Sequence, residues 1–355
     1  MTGGILVTGG AGFVGSSLCL LLKKDFPKSR IIAFDNLKRR GSELNLERFR
    51  KHGIEFIHGD IRNPGDLATI GGVDTLIECA AEPSVLAGYD GAPNYVIDTN
   101  LKGTINCLEF ARRHRSSFVF LSTSRVYPIS TIANLKYRED KTRLELLDEQ
   151  DIAGASSFGI SENFPLEGFR SLYGATKLSS ELIFSEYLQM YGLRGVINRC
   201  GVLTGPWQMG KIDQGVVVLW AAHHYFGGKL SYLGYGGTGK QVRDLLHVRD
   251  LYDLLKIQLA DLDRFNGRIF NIGGGREISV SLAELTALCQ KYSGKNIEIT
   301  SQPSNREGDI PCYLSDCRRI EDFCGWKART SADKIIEEIM EWIRENESQL
   351  KPILS

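Results

Sequence analysis

The run Ile5-Leu6-Val7-Thr8-Gly9-Gly10-Ala11-Gly12-Phe13-Val14-Gly15-Ser16 constrains this chain more than any other segment. An apolar, β-branched stretch leads into glycines spaced G-x-x-G-x-x-G at Gly9, Gly12 and Gly15, and a helical pattern follows over Ser16–Lys24. Glycine permits a sharp turn and a close backbone approach, and the helix start beyond it offers unpaired N–H groups carrying partial positive charge. The pattern predicts a strand–turn–helix unit in which Gly9, Gly12, Phe13, Val14 and Gly15 cradle a pyrophosphate. A tight glycine turn without a ligand is the alternative. The strand before it and the helix after it, both where a dinucleotide fold needs them, argue against that reading.

Asp35 lies twenty residues beyond Gly15, at the end of a strand predicted over Arg30–Phe34. A carboxylate there accepts hydrogen bonds from adenosine ribose hydroxyls and repels the extra phosphate of NADP, which favours NAD. Lys38, Arg39 and Arg40 follow and leave NADP open. Asp60-Ile61, after a strand at Glu55–His58, is placed to bracket an adenine.

The alternation continues. Strands are predicted at Thr75–Cys79, Phe118–Ser122 and Gly195–Arg199, with helices at Asn94–His114 and Tyr173–Tyr191. The strands are apolar throughout, as in a parallel sheet covered on both faces. This is the pattern of a doubly wound α/β fold. Residues 1–200 form the expected dinucleotide domain, with the polar, irregular stretch 128–170 inserted and 240–275 returning to it. Residues 201–239 and 276–355, with helices at Ser281–Ser293 and Ala332–Asn346, form a smaller substrate domain.

Bulk composition removes other classes. The 355 residues carry a formal net charge of +0, without the basic excess of a nucleic-acid-binding surface. The apolar run Val216–Ala222 is far short of the ~20 residues of a membrane span. No leader pattern opens the chain, which predicts a cytosolic protein whose eight cysteines stay reduced. Cys312, Cys317 and Cys324 match no zinc spacing, and no metal is expected.

Tyr173-Gly-Ala-Thr-Lys177 opens a helix as Y-x-x-x-K, and the i,i+4 spacing puts phenol and ammonium on one face. The cation favours the phenolate, which suits Tyr173 to move a proton on a substrate hydroxyl. Ser122, Thr123, Ser124 and Arg125 end the Phe118–Ser122 strand, where such a sheet presents ligands.

With Asn36, Ala80-Ala81, Asn100 and Asn271-Ile272-Gly273-Gly274, these motifs make the chain resemble the extended short-chain dehydrogenase/reductases, the NAD-dependent epimerases and dehydratases of nucleotide sugars. The resemblance implies Tyr173 as acid/base, Lys177 as its activator and ribose ligand, and Thr123 as the hydroxyl orienting the sugar. It adds Asn36, Asp60, Ile61, Ala80, Ala81, Asn100 and Ser122 as cofactor contacts. Ser124, Arg125, Arg199, Gln214, Arg243 and Arg306 become substrate contacts. Family dehydratases carry Asp-Glu after the threonine, decarboxylases a glutamate at the position of Arg125, and two-base epimerases a cysteine. Here Ser124-Arg125 stands instead, which leaves transient oxidation of one hydroxyl and hydride return to the other face of the keto-sugar. A narrower resemblance, to the subgroup that epimerises carbon 2 of CDP-hexoses, rests on Asp35-Asn36-Leu37, Asp213-Gln214-Gly215 and Gly239–His247. It implies a CDP-sugar substrate. Carbon-4 epimerisation of a UDP-hexose and a non-catalytic NAD-binding regulator are the alternatives. The family also implies a homodimer or homotetramer through the Asn94–His114 and Tyr173–Tyr191 helices, although Leu182, Ile183 and Leu188 equally suit an intrachain core.

Overall fold

Seven strands with no polar alternation form the central sheet: β1 (Ile5–Thr8), β2 (Ile31–Asp35), β3 (Glu55–His58), β4 (Thr75–Glu78), β5 (Ser117–Thr123), β6 (Gly195–Cys200) and β7 (Ile269–Ile272). The computed structural model describes residues 3–89, 92–211 and 214–355. The strand order is β7-β6-β5-β4-β1-β2-β3, and the ladders β1–β2, β2–β3, β1–β4 and β4–β5 are parallel. Every residue of β1, β4, β5 and β6 is buried, whereas edge strand β3 is exposed at both ends. That contrast is what two-sided helical cover produces.

The first of two compact units comprises 1–126, 172–199 and 252–270. Its helices include α1 (Phe13–Asp25), α2 (Asn45–His52), α3 (Pro64–Ala68), α4 (Pro93–Ile97), α5 (Gly103–His114) and α6 (Leu172–Tyr191). Helix α1 begins at Phe13, three residues before the expected Ser16, so Phe13, Val14 and Gly15 are its first turn. The expected single helix Asn94–His114 is interrupted, because Asp98–Lys102 forms a π-helical turn between α4 and α5. One core joins Leu6, Leu76, Phe118 and Phe120 of the sheet to Cys107, Leu108 and Ala111 of α5 and Phe184 of α6. Phe118 and Phe184 have ring centroids 5.0 Å apart. On α6, Ile183 and Leu188 pack against this core while Leu182 is 63% exposed, so the three residues serve different surfaces.

The second unit comprises 127–171, 200–251 and 271–355. The division differs from the expected one. The 128–170 stretch belongs to this unit, and of 240–275 only 252–270 joins the first. Nor is 128–170 structureless. It holds a helix Ile129–Ala133 and two small hairpins, Tyr137–Glu139 with Leu144–Leu146 and Ala155–Ser156 with Gly159–Ile160. Strand Val242–His247 organises a four-stranded sheet with Val202–Thr204, Ser279–Ser281 and Cys312–Tyr313. Ser281 and Glu284 form a reciprocal capping box that starts helix Leu282–Ser293 and satisfies two otherwise orphaned donors. Among the described residues, no helix is long and apolar enough to cross a membrane.

Candidate functional site

The glycine turn is built to bring backbone close to backbone. Gly9 has φ +64°, and a Cβ there would come within 2.8 Å of the Ala80 backbone. A Cβ on Gly15 would lie 2.2 Å from the Gly9 carbonyl oxygen. Gly12 differs: a Cβ there would meet only that carbonyl, at 3.2 Å, so this side of the turn is open. Gly12 is also the N-cap of α1, in extended conformation, and no side chain caps the helix. An open glycine before an uncapped helix N-terminus fits a diphosphate.

Asp35 closes the turn from below. Its Oδ2 accepts from the Ala11 amide at 3.1 Å and its Oδ1 from the Leu37 amide at 2.7 Å. Burial raises its carboxyl above the usual range, although these amides pull the other way. Asn36 donates to Asp60 at 2.9 Å, and Arg62 forks onto the same carboxylate. Burial works to raise Asp60, but the bonds from Arg62 and Asn36 prevail and hold it down at about 2. Lys38 lies over the Tyr95 ring, 3.2 Å from its centroid. Ile61 is a core residue, 5% exposed. Ala80 and Ala81 follow the end of β4 and are half-buried.

Tyr173 and Lys177 occupy the first turns of α6, on one face, as the spacing predicts. Tyr173 is half-buried; Lys177 is 2% exposed, its ammonium 3.9 Å from the centroid of the Phe120 ring. Thr123 is the last residue of β5, and its Oγ1 accepts from the Arg125 amide at 3.2 Å at the head of the 3-10 turn Ser124–Val126.

Three of the residues expected to contact ligands also bond within the protein. The Asn100 amide, fully buried in the π turn, accepts from the Glu82 N–H at 2.8 Å and donates to the Glu82 carbonyl at 3.1 Å and to Thr176 Oγ1 at 3.3 Å. It clamps the loop after β4 to α6. Arg199, expected as a substrate contact, grips both oxygens of Glu181 with its guanidinium at 2.7–3.1 Å, with both side chains at most 4% exposed. Ser122 donates to the same Glu181 carboxylate.

In the second unit, Arg243 is half-buried. It donates to Asp309 Oδ1 at 2.7 Å and to the Ile310 carbonyl at 2.6 Å, and Asp309 in turn donates its N–H to the Arg306 carbonyl. Arg243 and the Arg306 segment therefore come together, but Arg243 already has a carboxylate partner. Gln214 and Lys211 exchange backbone hydrogen bonds at 2.8 and 3.0 Å; Asp213, between them, lies outside the described residues.

This architecture recurs in known proteins. Residues 5–273 match the model of the NAD dependent epimerase/dehydratase family. The chain belongs to that family. A similar protein is the CDP-paratose 2-epimerase of Salmonella typhi, 32% identical over 95% of this chain and 98% of that one. Among solved structures, the dTDP-glucose 4,6-dehydratase of Streptomyces venezuelae with NAD bound superposes with TM-score 0.78, at 29% identity over 99% of each chain. The UDP-glucose 4-epimerase of Thermus thermophilus in complex with NAD gives TM-score 0.75, at 25% identity over 96% of this chain and 99% of that one. As an epimerase/dehydratase family member the protein is an enzyme, and its cofactor is NAD.

Two residues of this family member escaped the sequence reading. Glu181 stands four residues beyond Lys177 and eight beyond Tyr173, so the helical face already named contained it. Glu78 ends β4, fully buried, and only its charge inside an apolar run marks it.

Proposed function

We propose that this enzyme is a nucleotide-sugar epimerase that inverts a single carbon, carbon 2 of a CDP-hexose, by transient oxidation. The observation that carries the reading is Tyr173 and Lys177 on one face of α6, with Thr123 at the end of β5 followed by Ser124-Arg125 rather than by acids. The glycine turn from Gly9 to Gly15, with Asp35, holds the cofactor. Bound NAD supplies a hydride acceptor that returns the same hydride. Tyr173 takes the proton of the sugar hydroxyl and later gives it back. Lys177, one helical turn away, stabilises the phenolate. Thr123 orients the hydroxyl. Without an acid–base pair beside Thr123, nothing removes water from the neighbouring carbons. Arg243 and Arg306 serve the substrate diphosphate, for which Arg243 must exchange or share Asp309. The CDP-sugar preference draws on the similarity to CDP-paratose 2-epimerase. Carbon-4 inversion of a UDP-hexose is the second reading, favoured by the fold shared with UDP-glucose 4-epimerase.

The test is incubation with CDP-, UDP-, GDP- and dTDP-hexoses in deuterated water, read by NMR. A 2-epimer carrying no solvent deuterium at the inverted carbon is expected. Deuterium at that carbon, or a dehydrated product, overturns the reading. Tyr173→Phe should lower turnover by about 10²–10⁴-fold while NAD stays bound.

A further inference from the structure

Behind Lys177 lies a buried acid that the chemistry above does not use. The β1–β4 and β4–β5 registers set Thr8, Glu78 and Phe120 side by side across three adjacent strands. In-register neighbours on parallel strands point to the same face, and this face is covered by α5 and α6. Thr104 of α5 reaches Glu78, and Lys177 of α6 lies on the Phe120 ring, one strand away.

We propose that Glu78 is a positioning residue for the reaction, the internal counter-ion that fixes the charge and the place of Lys177. This rests on the assignment of Lys177 as the partner of Tyr173. Glu78 is fully buried, and its Oε2 has no hydrogen-bond partner among the described residues. The large majority of buried side-chain oxygens are paired, so the bare one asks for an explanation. The groups facing Glu78 are Thr8 from β1, Phe120 from β5, Thr104 and Cys107 from α5, and Lys177 from α6. Of these only Cys107 and Lys177 titrate, and burial, followed by Glu78, pushes the Cys107 thiol far up, so it stays neutral. Lys177 is thus the one cation answering Glu78 in this set.

The hydroxyl of Thr104 makes the arrangement responsive. Its Oγ1 lies 2.6 Å from Glu78 Oε1 and 2.7 Å from the Asn100 carbonyl, yet it has one proton to give. When Glu78 is ionised, Thr104 donates to it. When Glu78 is protonated, the acid donates to Thr104 Oγ1, which then donates to Asn100. Burial pushes the Glu78 carboxyl up to about 7 against the pull of Lys177 and Thr104, so both forms are within reach near neutrality. The ionised form holds the ammonium in place and offsets its effect on Tyr173; the neutral form leaves that effect at full strength.

The deciding measurement follows Lys177 itself, in protein labelled with carbon-13 at lysine Cε, its signal identified by loss in Lys177→Arg. In Glu78→Gln the ammonium loses its anionic neighbour and should release its proton about one pH unit lower than in the wild type. The acid limb of kcat/KM should move the same way, because the phenolate of Tyr173 is also relieved of a nearby negative charge. Glu78→Asp, which keeps the carboxylate, should recover part of both shifts. A merely structural role would change stability without moving either. If Glu78→Gln does not fold, Thr104→Val should lower the Lys177 titration by a smaller amount, since it removes the donor that favours the ionised acid. An unchanged Lys177 titration in the folded variant overturns the proposal. A shifted titration in a protein that turns over no nucleotide sugar keeps the charge coupling and rejects the functional reading instead.

Discussion

Glu78 and Glu181 are buried carboxyls of the same unit, at most 2% exposed, yet the fold answers them differently. Glu181 receives a two-pronged guanidinium and a serine hydroxyl; Glu78 receives one threonine and leaves an oxygen bare. The lesson is that burial alone does not assign a role. A fully answered charge is scaffolding that holds β5, β6 and α6 in register. A half-answered one retains a proton that it can give up.

The largest expected effect sharpens the scaffold side. Arg199→Leu leaves the Glu181 charge buried without its partner and should cost about 3–5 kcal/mol, seen as a large fall in melting temperature by calorimetry. Adding Glu181→Leu should restore most of the loss. A double variant as unstable as the single one would mean that the pair is not a unit.

Next comes the proton-bearing side. The Glu78 carboxyl titrates near 7 when folded against an ordinary 4.5. Below about 4.5 both states hold the proton, and the group has no pH-dependent effect on stability. Between 4.5 and 7 the unfolded chain loses it first, so wild-type stability falls as pH rises, by roughly 3 kcal/mol in all. Glu78→Gln should remove that slope in urea melts taken at a series of pH values. Parallel stability curves for the two proteins would break the contrast drawn here. The smallest effect is expected of Ser122→Ala, about 1 kcal/mol in urea melts, because Arg199 still meets both Glu181 oxygens.

Much of this was legible beforehand, for physical reasons. Strands buried on both faces must be apolar, so β1, β2 and β5 stood out, and the Gly9–Gly15 turn and Tyr173/Lys177 carry fixed spacings. What was missed depends on partners distant in sequence. Arg199 reads as a free cation until Glu181, on another element, is seen to hold it. Asn100 enters through the resemblance alone, and its bonds to Glu82 and Thr176 depend on a π turn that leaves no trace in a 3.6-residue periodicity. The hairpins within 128–170 use strands of two or three residues, too short for alternation to register.

The turn at Asp98–Lys102 has its own consequence. A π-helical loop holds one residue more than an ordinary turn, and each residue of an α-helix advances by about 100°. Deleting one position there would let the turn close back to ordinary α-helix, keeping the flanking segments nearly in phase but re-spacing the residues inside the turn. Asn100 could no longer face Glu82 while Thr104 faced Glu78. This stretch can therefore exchange one residue for another far more readily than it can gain or lose one, and natural variants of the enzyme should differ here in spelling rather than in length.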